Sequence, residues 1–293
     1  MYATLIAAAV LWGLATGLLI PRAAYRLAVP ATDPWRDDCP SGHRLRGPLG
    51  GWLGAPRCSA CSTALTGPVP QDRGDGPHGT MQLDGRSGTV NGTPSEPQPL
   101  VRAYAAEGSP RARITPGVVP LLTAGVCAAL AVATGGRPEL AVWLVLTPFA
   151  TLLAVVDARV HRLPDHLTLP LAAAAVALLG LAAVLPSAGG SWHTALLGGL
   201  TLGAFYCLLF VIHPGGMGFG DVKLALSLGA VLGWYGWGVL ITGAFAGFLF
   251  GSLYGFGLIA LGRAHRKSAI PFGPFMILGA LSGVLWGAFT VAH

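Results

Sequence analysis

The sequence predicts an all-α, polytopic membrane helix bundle of about eight transmembrane helices, with a small cytoplasmic insert after the first helix. Three observations predict it. Only 10% of the 293 residues are charged and the mean hydropathy is +0.62, whereas a soluble domain carries about 25% charge. A soluble fold this apolar lacks the residues to make a surface, so the bilayer is the expected solvent. From Val118 onward, apolar runs of spanning length follow one another with short polar breaks. The charge is also unevenly placed: of 18 Lys and Arg, eleven lie between Arg22 and Arg113. The net charge of +6 and pI near 9.4 would otherwise suggest nucleic acid. No basic stripe is interleaved with exposed aromatics, so that partner is excluded.

Residues 1–20 form the first transmembrane helix. Thr4 to Ile20 is uncharged and apolar, no Lys or Arg precedes it, and Arg22 and Arg26 follow. A cleaved secretory signal is the alternative, but it carries its positive charge in front and a cleavage site behind. The charge order therefore favours a retained helix with its N-terminus outside.

Residues 21–65 form the cytoplasmic insert, which holds Cys39, Cys58 and Cys61. Disulfides are not expected in that compartment. Cys58-Ser-Ala-Cys61 has the spacing of a metal knuckle, and Cys39-Pro-Ser-Gly-His43 supplies two more ligands. A Cys₃His zinc site of Cys39, His43, Cys58 and Cys61 is one reading; thiols in a poorly ordered loop are the other. Cys127 and Cys207 stand alone in apolar spans and read as small packing residues. Residues 66–116 read as a flexible linker. Segments such as Pro70 to Pro77 and Asn91 to Pro97 are rich in Pro and Gly, with little apolar surface to bury.

Residues 117–293 form the membrane domain, with spans expected near 118–135, 140–156, 167–186, 194–212, 222–235, 237–261 and 271–291. Residues 224–262 contain no Asp, Glu, Lys or Arg and are too long for one span. The Trp234-Tyr-Gly-Trp-Gly238 cluster divides them as an interfacial turn with aromatic anchors. With the N-terminus outside, 21–116, 157–166, 213–221 and 262–270 face the cytoplasm. Among the 18 basic residues only Arg137 then falls outside, as the positive-inside rule requires.

This half carries four acidic residues: Glu139, Asp157, Asp165 and Asp221. Glu139 is expected in the outer loop beside Arg137. The other three fall at the cytoplasmic ends of spans. Ionisable groups at membrane depth read as functional by default, although a single Asp can equally cap a helix. Asp157 ends an apolar span. Asp221 follows Gly215-Gly-Met-Gly218-Phe-Gly220, whose glycines allow close backbone approach, and it stands near the positive end of a helix dipole. Asp165, after Leu163-Pro164, reads as a turn or N-cap residue. Two carboxylates held close share a proton, and such a pair can activate water against a peptide carbonyl and protonate the leaving amine. Which Asp holds the proton stays open. Other chemistries lack their residues: His193 and His213 fall on opposite faces, and there is no His-Glu-x-x-His, phosphate loop or dinucleotide fingerprint.

Gly218-Phe-Gly220-Asp221 fits the Gly-x-Gly-Asp signature of membrane aspartyl proteases. The longer stretch through Val222-Lys223-Leu224 resembles type IV prepilin peptidases, as do Asp157 with Leu163-Pro164-Asp165, Leu167 to Pro170, and Ile270-Pro-Phe-Gly-Pro-Phe275. The resemblance covers about 115–291 and extends loosely to Gly17–Arg22, Tyr25 and Arg26. It implies Asp157 and Asp221 as catalytic residues, with Gly218, Gly220, Lys223, Pro164 and Asp165 as supporting motif positions. It implies cleavage of prepilin or pseudopilin substrates on the cytoplasmic side, between a basic leader and a hydrophobic helix. Many similar enzymes also methylate the new N-terminus with S-adenosylmethionine. They carry two Cys-x-x-Cys pairs in the insert; here Gly42 stands where the second Cys of the first pair is expected. The competing function is an ion-coupled transporter or channel using the same aspartates for cations. That predicts polar residues at midplane depth, whereas here they cluster at one face. A protease cutting within substrate helices is the third reading.

Overall fold

Length and apolarity produce helices where a bilayer would require them, since a backbone in hydrocarbon must satisfy its own hydrogen bonds. In a computed structural model, residues 2–29, 34–39, 42–52, 58, 61, 117–214, 217–263 and 271–292 are described. The long helices in them are α1 (Tyr2–Leu27), α2 (Val118–Thr134), α3 (Glu139–Val160), α4 (Asp165–Ala183), α5 (Trp192–Ile212), α6 (Phe219–Gly233), α7 (Trp237–Ala260) and α8 (Gly273–Ala292). Six are long and apolar enough to cross a membrane, and α2 is a shorter apolar helix. The chain is thus an all-helical, multi-pass membrane protein. Leu121, Ile241, Phe245, Leu253 and Phe256 are among many large apolar side chains left exposed, the surface that lipid covers.

The chain divides into two compact units: Met1–Cys58 with Thr115–His293, and Ser59–Ile114. In the second, only Cys61 is described. The expected linker over 66–116 lies outside the described residues.

Within the first unit, α6 packs against α4, α5, α7 and α8, while α3 packs against α1, α2, α4 and α8. Glycines set the closest pairings. A Cβ on Gly198 would lie 2.7 Å from the Gly229 carbonyl oxygen, and one on Gly229 would lie 2.5 Å from that of Gly198, so α5 and α6 meet backbone to backbone. Pro148 inside α3 removes the N–H that would have bonded Leu144; the Trp12 indole of α1 donates to that carbonyl at 2.8 Å instead.

Two sequence expectations need correction. The first helix does not end at Ile20 but continues through Pro21 to Leu27. Arg22 and Arg26 are buried there because the insert folds over them. Arg22 donates to the Arg46 carbonyl at 2.7 Å, and Arg26 donates to Gly50, pairs with Asp37 and lies 4.3 Å above the Trp52 ring. Glu139 is not in a loop. It is the first residue of α3 and wholly buried, where the helix dipole favours a carboxylate. It accepts from Gly189 N–H at 3.3 Å and faces Arg137 at 3.6 Å. Arg137 also donates to Ala288 at 2.7 Å. The pair ties the α2–α3 and α4–α5 connections to the end of α8.

Candidate active site

Asp157 lies in the last turn of α3 and Asp221 in the first turn of α6. Both are buried, 4% and 7% exposed. α3 and α6 do not pack on each other; α4 and α8 each touch both. The two carboxylates lie within electrostatic reach of each other although their helices do not pack together.

Each is fixed by a backbone donor. The chain enters α8 through the Pro-Phe-Gly-Pro turn, and Gly273 N–H donates to Asp157 Oδ2 at 3.0 Å. Gly218 N–H donates to Asp221 Oδ2 at 3.2 Å. Asp221 is thereby the N3 half of a capping box whose N-cap is a glycine, which has no side chain to reciprocate. A carboxylate here also meets the positive end of the α6 dipole. Gly220 has a local reason: a Cβ there would lie 2.9 Å from the Leu163 Cβ, so α6 begins in contact with the α3–α4 turn.

The supporting motif residues assemble around this end. Pro164 is the extended N-cap residue of α4 and Asp165 the first residue of the helix. Asp165 is largely exposed and pairs with Lys223 Nζ at 2.7 Å, tying α4 to the first turn of α6. Lys223 also sits 4.8 Å over the Phe219 ring. Two neighbours escaped the sequence reading. His161 ends α3 in a left-handed conformation with its ring in electrostatic reach of Asp157; only its place beside the Asp157 segment hinted at this. Tyr206 of α5 lies in reach of Asp221, and no sequence signal marked it. His193 and His213 flank the two ends of α5 and do not meet.

A model of the type IV leader peptidase family matches residues 144–291, which includes both aspartates and every motif above except the insert. The chain belongs to the type IV leader peptidase family. Among curated relatives, it is similar to the prepilin leader peptidase/N-methyltransferase of Aeromonas salmonicida (strain A449), 36% identical over 172 residues, 58% of this chain and 57% of the relative. Proteins of the same name in Bacillus subtilis (strain 168) and Pseudomonas aeruginosa match at 31% over 170 residues (57% and 64%) and 34% over 149 residues (49% of each). The chain thus spans just over half the length of the first of these relatives. No solved structure matches.

The insert holds a candidate metal cluster. Asp37 to Leu45 folds back on itself: Cys39 N–H bonds His43 O at 2.9 Å, and Leu45 N–H bonds Asp37 O. Gly42 closes the turn at φ +78, a conformation that strains any other residue, so the turn that brings His43 beside Cys39 has no easy place for a Cys at 42. Cys39 Sγ lies 3.7 Å from His43 Nδ1. Tetrahedral zinc with its usual bond lengths would set them about 3.6 Å apart. The ligand atoms of Cys39, His43 and Cys58 lie within 4.8 Å of one another, and Cys61 follows at knuckle spacing. Soft thiolates with one imidazole fit zinc.

Proposed function

We propose that this chain is a membrane aspartyl endopeptidase that removes basic leader peptides from prepilin- or pseudopilin-like substrates at the cytoplasmic membrane face. One observation carries the reading: two buried carboxylates, on helices that do not pack together, lie within electrostatic reach of each other, each fixed by a backbone N–H. One aspartate takes a proton from water as its oxygen attacks the peptide carbonyl carbon, and the partner protonates the departing amine. The names of the relatives supply the substrate class. The asymmetry of basic residues supports an outside N-terminus and a cytoplasmic active site in the cell's inner or plasma membrane. There a basic leader stays in water while the substrate's hydrophobic helix stays in lipid.

We take residues 21–65 as an insert stapled by zinc through Cys39, His43, Cys58 and Cys61, residues 66–116 as a linker, and 117–293 as the peptidase domain, with the first helix at its flank. The metal supplies a cross-link to the insert hairpin and takes no part in proteolysis. The relatives' names also suggest methylation by S-adenosylmethionine. The groove between α4 and α5, of about 560 Å³, is lined by Ala172, Val176, Gly180, Trp192 and Leu200 among others. It offers no acidic or amide group for the ribose or the sulfonium, so that cofactor does not fit there.

The test co-expresses the full chain with candidate prepilins and sequences the product N-termini. A new N-terminus just before the hydrophobic helix is expected, and Asp157→Asn and Asp221→Asn should each abolish it. Intact cleavage by either variant, with the protein still membrane-inserted, overturns the reading. A methylated new N-terminus would establish the second activity.

A further inference from the structure

Tyr206 lies in α5 six residues before the end of the helix, about 9 Å from it at 1.5 Å per residue. That end leads directly into α6 and Asp221. The side chain is 2% exposed, and aromatic rings hold it on two sides. Phe248 of α7 stacks on it at 5.6 Å and 20°, and Phe272 packs at 6.2 Å and 38°. Phe272 directly precedes Gly273, whose N–H holds Asp157. The phenol also lies within electrostatic reach of Asp221. Tyr206 is therefore held in reach of Asp221 and packed against Phe272, the residue before the one whose N–H holds Asp157.

Its ring has every reason to be there and its hydroxyl has none. Among the described residues, nothing hydrogen-bonds that hydroxyl. The stack needs only the ring, and a phenylalanine would fill it equally well. The two carboxylates and the lysine of the motif are already engaged. Asp157 and Asp221 accept from Gly273 and Gly218, and Lys223 is held by Asp165 and Phe219. A rigidly held donor with no partner among the described residues, in reach of Asp221, is suited to an oxygen that arrives with the substrate.

We propose that the Tyr206 hydroxyl donates a hydrogen bond to the scissile carbonyl oxygen and stabilises the charge it gains during cleavage. This rests on the proteolytic reading above. As water attacks the carbonyl carbon, the C–O π pair moves onto the oxygen and one aspartate takes the water proton. The Tyr206 O–H···O bond strengthens at that moment, and the tyrosine keeps its proton throughout. On collapse the C–O double bond re-forms, the C–N bond breaks, and the amine leaves with a proton from the aspartate pair. The donor thus acts more in the transition state than in the ground state.

The experiment uses the purified full chain in lipid with a prepilin substrate, comparing wild type, Tyr206→Phe, Asp157→Asn and Asp221→Asn. Tyr206→Phe keeps the stack and removes one oxygen. It should lower kcat by about 100-fold or more, leave KM within about threefold and leave thermal unfolding unchanged. Loss of cleavage in both aspartate variants with a wild-type kcat in Tyr206→Phe overturns this proposal alone. A rise in KM with unchanged kcat overturns it too, as does a Tyr206→Phe protein that no longer folds, since its hydroxyl would then be bonded in the free protein. Cleavage surviving in either aspartate variant overturns the proteolytic reading and this inference with it.

Discussion

Gly273 shows how tightly single residues constrain the candidate dyad. Its N–H holds Asp157, and a Cβ on it would lie 2.8 Å from Asp157 Oδ2. Carbon and oxygen do not approach so closely, so a methyl group must push the carboxylate out of line or tilt the start of α8. Displacements of about 1 Å at a reacting group can cost about 100-fold. Gly273→Ala is therefore expected to lower kcat at least tenfold, with the protein still inserted and folded; a steady-state assay beside a thermal melt checks it. Asp157 and Asp221 were legible from sequence because acidic groups are so few in this half of the chain. Their partners were less so. The Pro-Phe-Gly-Pro segment could be singled out, but its bond to Asp157 spans more than a hundred residues of chain. Tyr206 carried no signal at all, since one tyrosine in an apolar run looks like any other aromatic.

At the scale of elements, the eight helices were legible because bilayer thickness imposes their length, and the aromatic turn after Trp234 divided the uncharged stretch correctly. Which helices pair was not legible. That depends on where glycines face each other, and the uniform apolarity of the spans hides their faces. The α5–α6 pairing matters most for the site, because it carries Tyr206 on one helix and Asp221 on the other. Gly229 lies at one of its close points, where an added Cβ meets the Gly198 carbonyl at 2.5 Å and Leu202 at 2.8 Å. Gly229→Leu is expected to force the pair apart, costing about 1–3 kcal/mol or more. It should abolish cleavage together with a lowered unfolding temperature. The same leucine at Gly125, where nothing lies within 4 Å, should leave both near wild type. Equal effects at the two positions would mean that backbone contact between α5 and α6 is not what holds the pair.

For the whole molecule, the insert secures one end of the bundle. The basic residues of the last turns of α1, Arg22 and Arg26, are buried anchors for the insert. Trp35 of the insert packs edge-on against Trp52 at 5.3 Å and against His166 of α4 at 5.9 Å. His166 neighbours Asp165, which holds Lys223 and thus the first turn of α6. A metal that fixes the hairpin would therefore steady, at a distance, the end of the bundle that carries Asp221. If the proposed zinc assignment holds, chain purified without added metal should contain about one zinc per molecule, since three thiolates and one imidazole are a closed structural ligand set. Cys39→Ser and His43→Ala should lose most of that zinc and melt at lower temperature, as binding energy at such a site is folding energy. Both should keep kcat within about tenfold of wild type, because neither residue reaches the carboxylates. Elemental analysis and cleavage kinetics on the same preparations decide the matter. A metal-free wild type defeats the zinc assignment, whereas total loss of cleavage in a folded His43→Ala protein would show that the insert does more than hold the bundle's end.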